Sequence, residues 1–103
     1  MTVLTSENFR AEAEQAEQPV LIDFYADWCS PCRAMGETLD ALEPEFAGSC
    51  RFCKVNIEQQ RGLAEQFDVL SIPTLVLMHD GEIQQRITGL RSREEIRSIL
   101  SFQ

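Results

Sequence analysis

Two cysteines separated by two residues, Cys29-Ser30-Pro31-Cys32, are the residues of this chain best suited to chemistry. A disulfide needs its Cα atoms within about 7 Å, and a Ser-Pro turn can bring two thiols that close. The apolar run Val20-Leu21-Ile22 leads toward the pair through Asp23 to Trp28, and a helical pattern follows it. The thiols therefore stand where a strand ends and a helix begins. Exchange starts when a thiolate attacks a disulfide sulfur. At a helix N-terminus, backbone N–H groups and the macrodipole favour an anion. Cys29 is thus expected to be the exposed nucleophile, and Cys32, one turn inside, the more buried resolving thiol. The competing reading is a static disulfide or two inert thiols. Pro31 suits the first turn of a helix, where its missing N–H is no loss. Ser30 adds a hydroxyl beside Cys29. If that hydroxyl donates to the thiolate, ~1 kcal/mol of stabilisation raises the potential by roughly 20 mV. Trp28 is placed either to cover one side of the thiols or to fill the core. Asp23, inside an apolar strand, is expected to be desolvated, with its pKa raised.

A second pair, Cys50-Arg51-Phe52-Cys53, repeats the spacing, and the four together read C-x2-C-x17-C-x2-C, a zinc-site template. Against that reading, Cys53 runs straight into the strand-like Lys54-Val55-Asn56-Ile57. In a strand, residues i and i+3 lie about 10 Å apart and point to opposite faces, so these thiols converge poorly. Cys53 is expected to be a small buried apolar residue, and Cys50, near a loop, a thiol open to modification.

The elements that must position these groups follow from pattern. Thr2-Val3-Leu4 suggests a short edge strand. Thr5 or Ser6 offers an N-cap for a first helix with Phe9, Ala13 and Ala16 on one face, ended by Gln18-Pro19. Val20–Ala26 has the near-continuous apolar character of a central strand. Met35, Leu39, Leu42 and Phe46 form one helical face after the cysteines, with Pro44 near its end. Arg51–Ile57 reads as a third strand and Leu63, Ala64 and Phe67 as a short helix. Val69–Pro73 is irregular. Thr74–Met78 is a strand, Asp80-Gly81 a two-residue hairpin turn, and Ile83–Thr88 the returning strand, ended by Gly89. Ser92 and Glu95 have capping-box spacing, and Ile96, Ile99 and Leu100 give the last helix its buried face. Strands alternating with helices predict an α/β fold with a mostly parallel sheet covered on both faces and one antiparallel strand added by the hairpin.

The chain has 103 residues, 44% of them hydrophobic, which suits a single domain over 1–103 with one packed core. Met1 is followed by no signal-peptide pattern and no apolar run reaches membrane-spanning length. The expected location is the cytoplasm, where a disulfide is more often catalytic than structural. Of the net charge of −8, all lies in residues 1–45, with ten acids and two bases; residues 46–103 carry seven of each. That balance argues against nucleic acid or an anionic membrane as partner and reads as a solvated acidic surface. Arg86, Arg91, Arg93 and Arg97 cluster around Gly89, as a solvated rim or as a means of steering acidic partners.

Over essentially its whole length the sequence resembles the thioredoxin family. The resemblance rests on Asp23 and Trp28-Cys29-Ser30-Pro31-Cys32-Arg33, on Lys54-Val55-Asn56-Ile57-Glu58, on Ser71-Ile72-Pro73-Thr74, and on Asp80-Gly81 with Gly89, in order and at the family's spacing. The departures are Ser30 and Ser71 for glycines, Arg33 for lysine, Tyr25 for a second tryptophan and Glu37 for a kinking proline; Ser30, Pro31 and Arg33 are the positions that would tune the pair. The resemblance implies the thioredoxin fold, a central mixed five-stranded sheet flanked by four helices. It implies a protein dithiol–disulfide oxidoreductase in which Asp23, through water, takes the proton of Cys32, with Lys54 as its charge partner. It further implies a cis bond at Ile72-Pro73 and an apolar docking face made by Trp28, Ile72, Pro73, Gly89 and Leu90, with Ile57 at its edge, where an extended substrate adds as a strand. Ordinary core packing is the alternative for Ile57 and Leu90. No cofactor is expected beyond the redox-active Cys29–Cys32 disulfide; the partners are protein disulfides and an NADPH-dependent flavin reductase, and a monomer is expected. The rival readings are a binding or assembly subunit without turnover, a zinc module, and an oxidase or isomerase of the same fold.

Overall fold

The computed structural model describes residues 1–101 and contains five strands: β1 (Thr2–Val3), β2 (Val20–Tyr25), β3 (Arg51–Asn56), β4 (Thr74–His79) and β5 (Glu82–Thr88). The last two residues of the expected 1–103 domain lie outside those described. The strands form one mixed sheet in the order β1-β3-β2-β4-β5, with β2 at its centre. Three α-helices, α1 (Ser30–Leu42), α2 (Arg61–Gln66) and α3 (Arg93–Leu100), and a π-helical turn at Arg10–Glu14 cover it.

Strand alternation divides the core in two. Val20, Ile22 and Phe24 of β2 face Phe9, Ala13, Leu63 and Phe67, on the side of the π-turn and α2. Leu21, with Phe52, Leu75 and Leu77, faces Met35, Leu39, Leu42, Ile96 and Leu100 of α1 and α3. Asp23 is two residues beyond Leu21, so the same alternation turns it toward α1. Lys54 is two beyond Phe52 and stands in register with Asp23 on the parallel neighbour strand. The pleat thus delivers a carboxylate and an ammonium to the helix that carries the cysteines.

The expectation of a mostly parallel sheet needs correction. β1, β3 and β2 are mutually parallel, but β4 is antiparallel to β2, and β5 to β4. The chain re-enters the sheet at the end it left: Asn56, ending β3, is opposite Tyr25, and Thr74, opening β4, is opposite Phe24, so the connection through α2 returns without traversing the length of the strands. The Asp80-Gly81 turn has φ of 53° and 78°, positive at both central residues as a tight hairpin requires.

At the N-terminus the Thr5 hydroxyl accepts the Asn8 N–H and Asn8 Oδ1 accepts the Thr5 N–H at 2.7 Å, a reciprocal cap for the first helical turn. The helix that follows is shorter than its apolar stripe suggests: it closes as a π-turn, with the Gln15 N–H bonded to the Arg10 carbonyl at 2.8 Å. Pro44 ends α1, which continues only as a 3₁₀ turn at Glu43–Phe46.

Candidate active site

Cys29 is the N-cap of α1. Its backbone is extended (φ −91°, ψ 109°) and its Sγ accepts the Cys32 N–H at 3.2 Å, one of the donors a helix start leaves free. Pro31 occupies the first turn, as its fixed φ and missing N–H allow. Cys29 and Cys32 form a disulfide with Cα atoms 5.2 Å apart. The expected contrast between an exposed Cys29 and a buried Cys32 is small: they are 5% and 3% accessible. Both belong to a small cluster with Ala26, closed over by Tyr25, Ile57 and Ile72.

The two cysteines differ instead in the side to which they open. Cys29 lines a groove of about 580 Å³ together with Trp28, Ser30, Pro31 and Ile57 and with the segment Val69, Leu70, Ser71 and Ile72. Trp28 is 66% exposed, so it is not a core tryptophan. Ile57 does both things weighed for it, packing against the core and lining the groove. Ile72-Pro73 is cis. Pro73 is buried behind Ile72, and its carbonyl accepts the Gly89 N–H at 2.8 Å. The N–H and C=O of Ile72 have no hydrogen-bond partner among the described residues, so the segment presents an open backbone edge beside Cys29. Pro73, Gly89 and Leu90, expected on the docking face, stand outside the groove's lining; Leu90 is half-exposed. Val69, Leu70 and Ser71 take that place. Their one sequence signal was an apolar pair in a stretch with no helical or strand period.

Cys32 opens to the other side, into a cleft of about 190 Å³ that it shares with Asp23, Tyr25 and Lys54. Asp23 is 2% accessible and its Oδ1 has no hydrogen-bond partner. Burial pushes its pKa up to about 7, against the opposing pull of Lys54 and with a smaller upward push from Asp40. Lys54 and Asp23 form no ion pair within 4 Å among the described residues. The Lys54 ammonium lies over the Tyr25 ring, 5.7 Å from its centroid. The lysine therefore acts on Asp23 through space across the cleft, not as a bonded partner.

Arg33 braces the loop carrying Cys29. Its Nη1 donates to the Asp27 carbonyl at 2.9 Å and its Nη2 to the Ser30 hydroxyl at 3.1 Å. In this disulfide form the Ser30 oxygen accepts from Arg33; its expected contact is with the thiolate of the reduced pair. Among the four arginines near Gly89, Arg97 is paired with Glu45 at 2.9 Å and Arg91 with Glu95 at 3.9 Å, and none lines the groove.

The second cysteine pair is divided by the sheet. Cys50 packs in the α1 and α3 core and Cys53 in the opposite one, the separation that strand alternation demands. Cys50 is buried, which corrects the expectation of an accessible thiol. Burial pushes the Cys50 thiol up to about 11 and the Cys53 thiol up to about 12. Neither can join the first pair around a metal ion, and no metal-binding cluster occurs among the described residues.

A family model described as Thioredoxin matches residues 1–101. Thioredoxin C-2 of Corynebacterium nephridii is 35% identical over 93% of this chain and 89% of its own length. The thioredoxin of Chlamydia caviae is 42% identical over 91% of this chain and 89% of its own. That of Streptomyces clavuligerus is 38% identical over 87% and 83%.

Proposed function

The chain belongs to the thioredoxin family, and from that premise we propose how its residues divide the work of disulfide exchange. The protein is a dithiol–disulfide oxidoreductase. In the proposed path, the reduced Cys29 thiolate, held at the N-terminus of α1, attacks one sulfur of a substrate protein disulfide. The substrate S–S bond breaks, its other sulfur leaves as a thiolate, and a Cys29–substrate disulfide forms. Cys32 then passes its proton to the Asp23 carboxylate, through water in the cleft, and attacks the Cys29 sulfur. The substrate's second thiolate departs. Two electrons have moved from the Cys29–Cys32 pair to the substrate, and the pair is again a disulfide. The electrons travel on sulfur alone, so the path calls for no bound group. An NADPH-dependent flavin reductase is the proposed source of new electrons, and the cytoplasm the proposed setting. No helix among the described residues is long and apolar enough to cross a membrane.

One observation carries this division: Cys29 lines the groove while Cys32 lines the cleft with Asp23. Trp28, Ile57 and Ile72 would seat the substrate beside Cys29, the open edge of Ile72 pairing with its backbone. Pro73 and Gly89 would hold that edge in place, while Ser30, Pro31 and Arg33 shape the loop around the nucleophile. Leu90 would touch only the ends of a longer substrate segment.

The test is a trapping experiment. Cys32→Ser protein should accumulate a stable mixed disulfide with a reducible protein substrate, bonded through Cys29. Cys29→Ser protein should trap none. Trapping through Cys32 would reverse the assignment, and a wild-type protein that fails to turn over dithiothreitol-driven protein disulfide reduction would leave a binding subunit in its place.

A further inference from the structure

The cleft that holds Asp23 contains a carboxylate the mechanism above does not use. Its α1 wall is the stripe Arg33, Gly36 and Asp40, spaced i, i+3 and i+7 along one helical face. Asp40 is exposed, at the solvent side of the cleft, and Asp23 is buried at its floor. Gly36 lines the same cleft. A Cβ built there meets nothing within 4 Å, so this part of the wall is open space. At about 190 Å³ the cleft has room for several waters, and the unpartnered Oδ1 of Asp23 is a polar atom for them to meet.

The charges around Asp23 are few. From β3 comes Lys54, and from α1 come Arg33, Asp40 and the sulfur of Cys32. Asp27 and Tyr25 line the cleft from the end of β2 and the loop after it. From the N-terminus comes the Met1 ammonium, which is already bonded to Glu43 at 3.2 Å. On β4 the register partner of Asp23 is Leu75, which is apolar. Arg33 donates to the Asp27 carbonyl and the Ser30 hydroxyl, which directs its guanidinium to the loop before α1. Of the charges lining the cleft, Lys54 is the cation and Asp40 the anion that act on Asp23.

We propose that Asp40 is a positioning residue for the proton step: from the mouth of the cleft its carboxylate offsets Lys54 and keeps Asp23 basic enough to take the proton of Cys32. The inference rests on the proposed role of Asp23 as that base. Its physics is one like charge acting across a wet cleft, weaker than burial but of the same sign. Asp40 is among the groups that raise the Asp23 pKa toward about 7.

The test compares wild-type, Asp40→Asn and Asp40→Glu proteins. The Asp23 carboxyl is titrated by carbon NMR. In parallel, the rate at which Cys32 expels thionitrobenzoate from a Cys29 mixed disulfide is followed against pH. In Asp40→Asn the Asp23 midpoint should fall by roughly half a pH unit, as the loss of one screened like charge across a wet cleft predicts. The pH–rate profile should shift by the same amount, and Asp40→Glu should restore both. An Asp23 midpoint unmoved in Asp40→Asn would overturn the role of Asp40 while leaving that of Asp23 intact. A midpoint that moves while the pH–rate profile stays fixed would instead overturn Asp23 as the base, and the proposal with it.

Discussion

The buried carboxylate of Asp23 is where the demands of stability and of chemistry collide. Its pKa is raised from 3.8 to about 7 because burial disfavours the anion. Between those two values the folded chain binds more protons than the unfolded chain, so stability falls as pH rises from about 4 to about 7 and stays lower above. The shift corresponds to on the order of 4 kcal/mol once the group is ionised in both states. Asp23→Asn removes the charge and should stabilise the protein at pH 8 by up to that amount. At pH 4 or below, where the folded-state carboxyl is already neutral, the gain should largely vanish. Urea denaturation at the two pH values measures the difference; an equal gain at both would mean that ionisation is not its source. The same variant should resolve mixed disulfides more slowly, which is the trade between stability and activity that a tuned buried acid implies.

Elements whose signals are local were legible in the sequence. Ser92 and Glu95, three residues apart, form the full capping box: the Ser92 hydroxyl accepts the Glu95 N–H at 3.1 Å and Glu95 accepts the Ser92 N–H at 3.0 Å. Asp80-Gly81 made its hairpin for the same reason, since two residues at positive φ are a property of those two residues. The direction of β4 was not legible, because it depends on which end of the sheet the seventeen-residue connection through α2 returns to, and no short window contains that. Nor did the stripe of Phe9, Ala13 and Ala16 distinguish a π-turn from an α-helix. The capping box also supports a prediction. α3 is eight residues long, too short to persist without tertiary packing and caps, and it carries Ile96 and Leu100 into the core behind α1. Ser92→Ala should destabilise the protein by about 1 kcal/mol and lower its melting temperature by a few degrees. Disulfide reductase activity at 25 °C should be unchanged, because no residue of α3 lines the groove or the cleft. An activity loss without a stability loss would contradict this account of the helix.

Across the whole molecule, the sheet and α1 separate the two sulfurs' surroundings, giving Cys29 an apolar groove and Cys32 a charged cleft. The sulfurs were legible from their spacing and the burial of Asp23 from its apolar strand, whereas Lys54 as its partner was legible only through the family resemblance. The Val69-Leu70-Ser71 lining of the groove was not legible, because these residues belong to the irregular segment before Ile72, where no period says which side chains face water. Leu70 is the extreme case, 97% exposed on the rim beside Ile72. A leucine so exposed contributes almost nothing to folding, so its replacement isolates what the groove does for binding. Leu70→Ser should leave stability within about 0.5 kcal/mol of the parent. If an apolar substrate segment covers this side chain, KM for a protein disulfide should rise roughly threefold to tenfold, the effect of losing part of one leucine's burial. The value of kcat should hold, and so should the rate with a small disulfide that cannot reach the rim. An unchanged KM for protein substrates would mean that they dock on Trp28 and Ile72 without crossing the Val69-Leu70 wall.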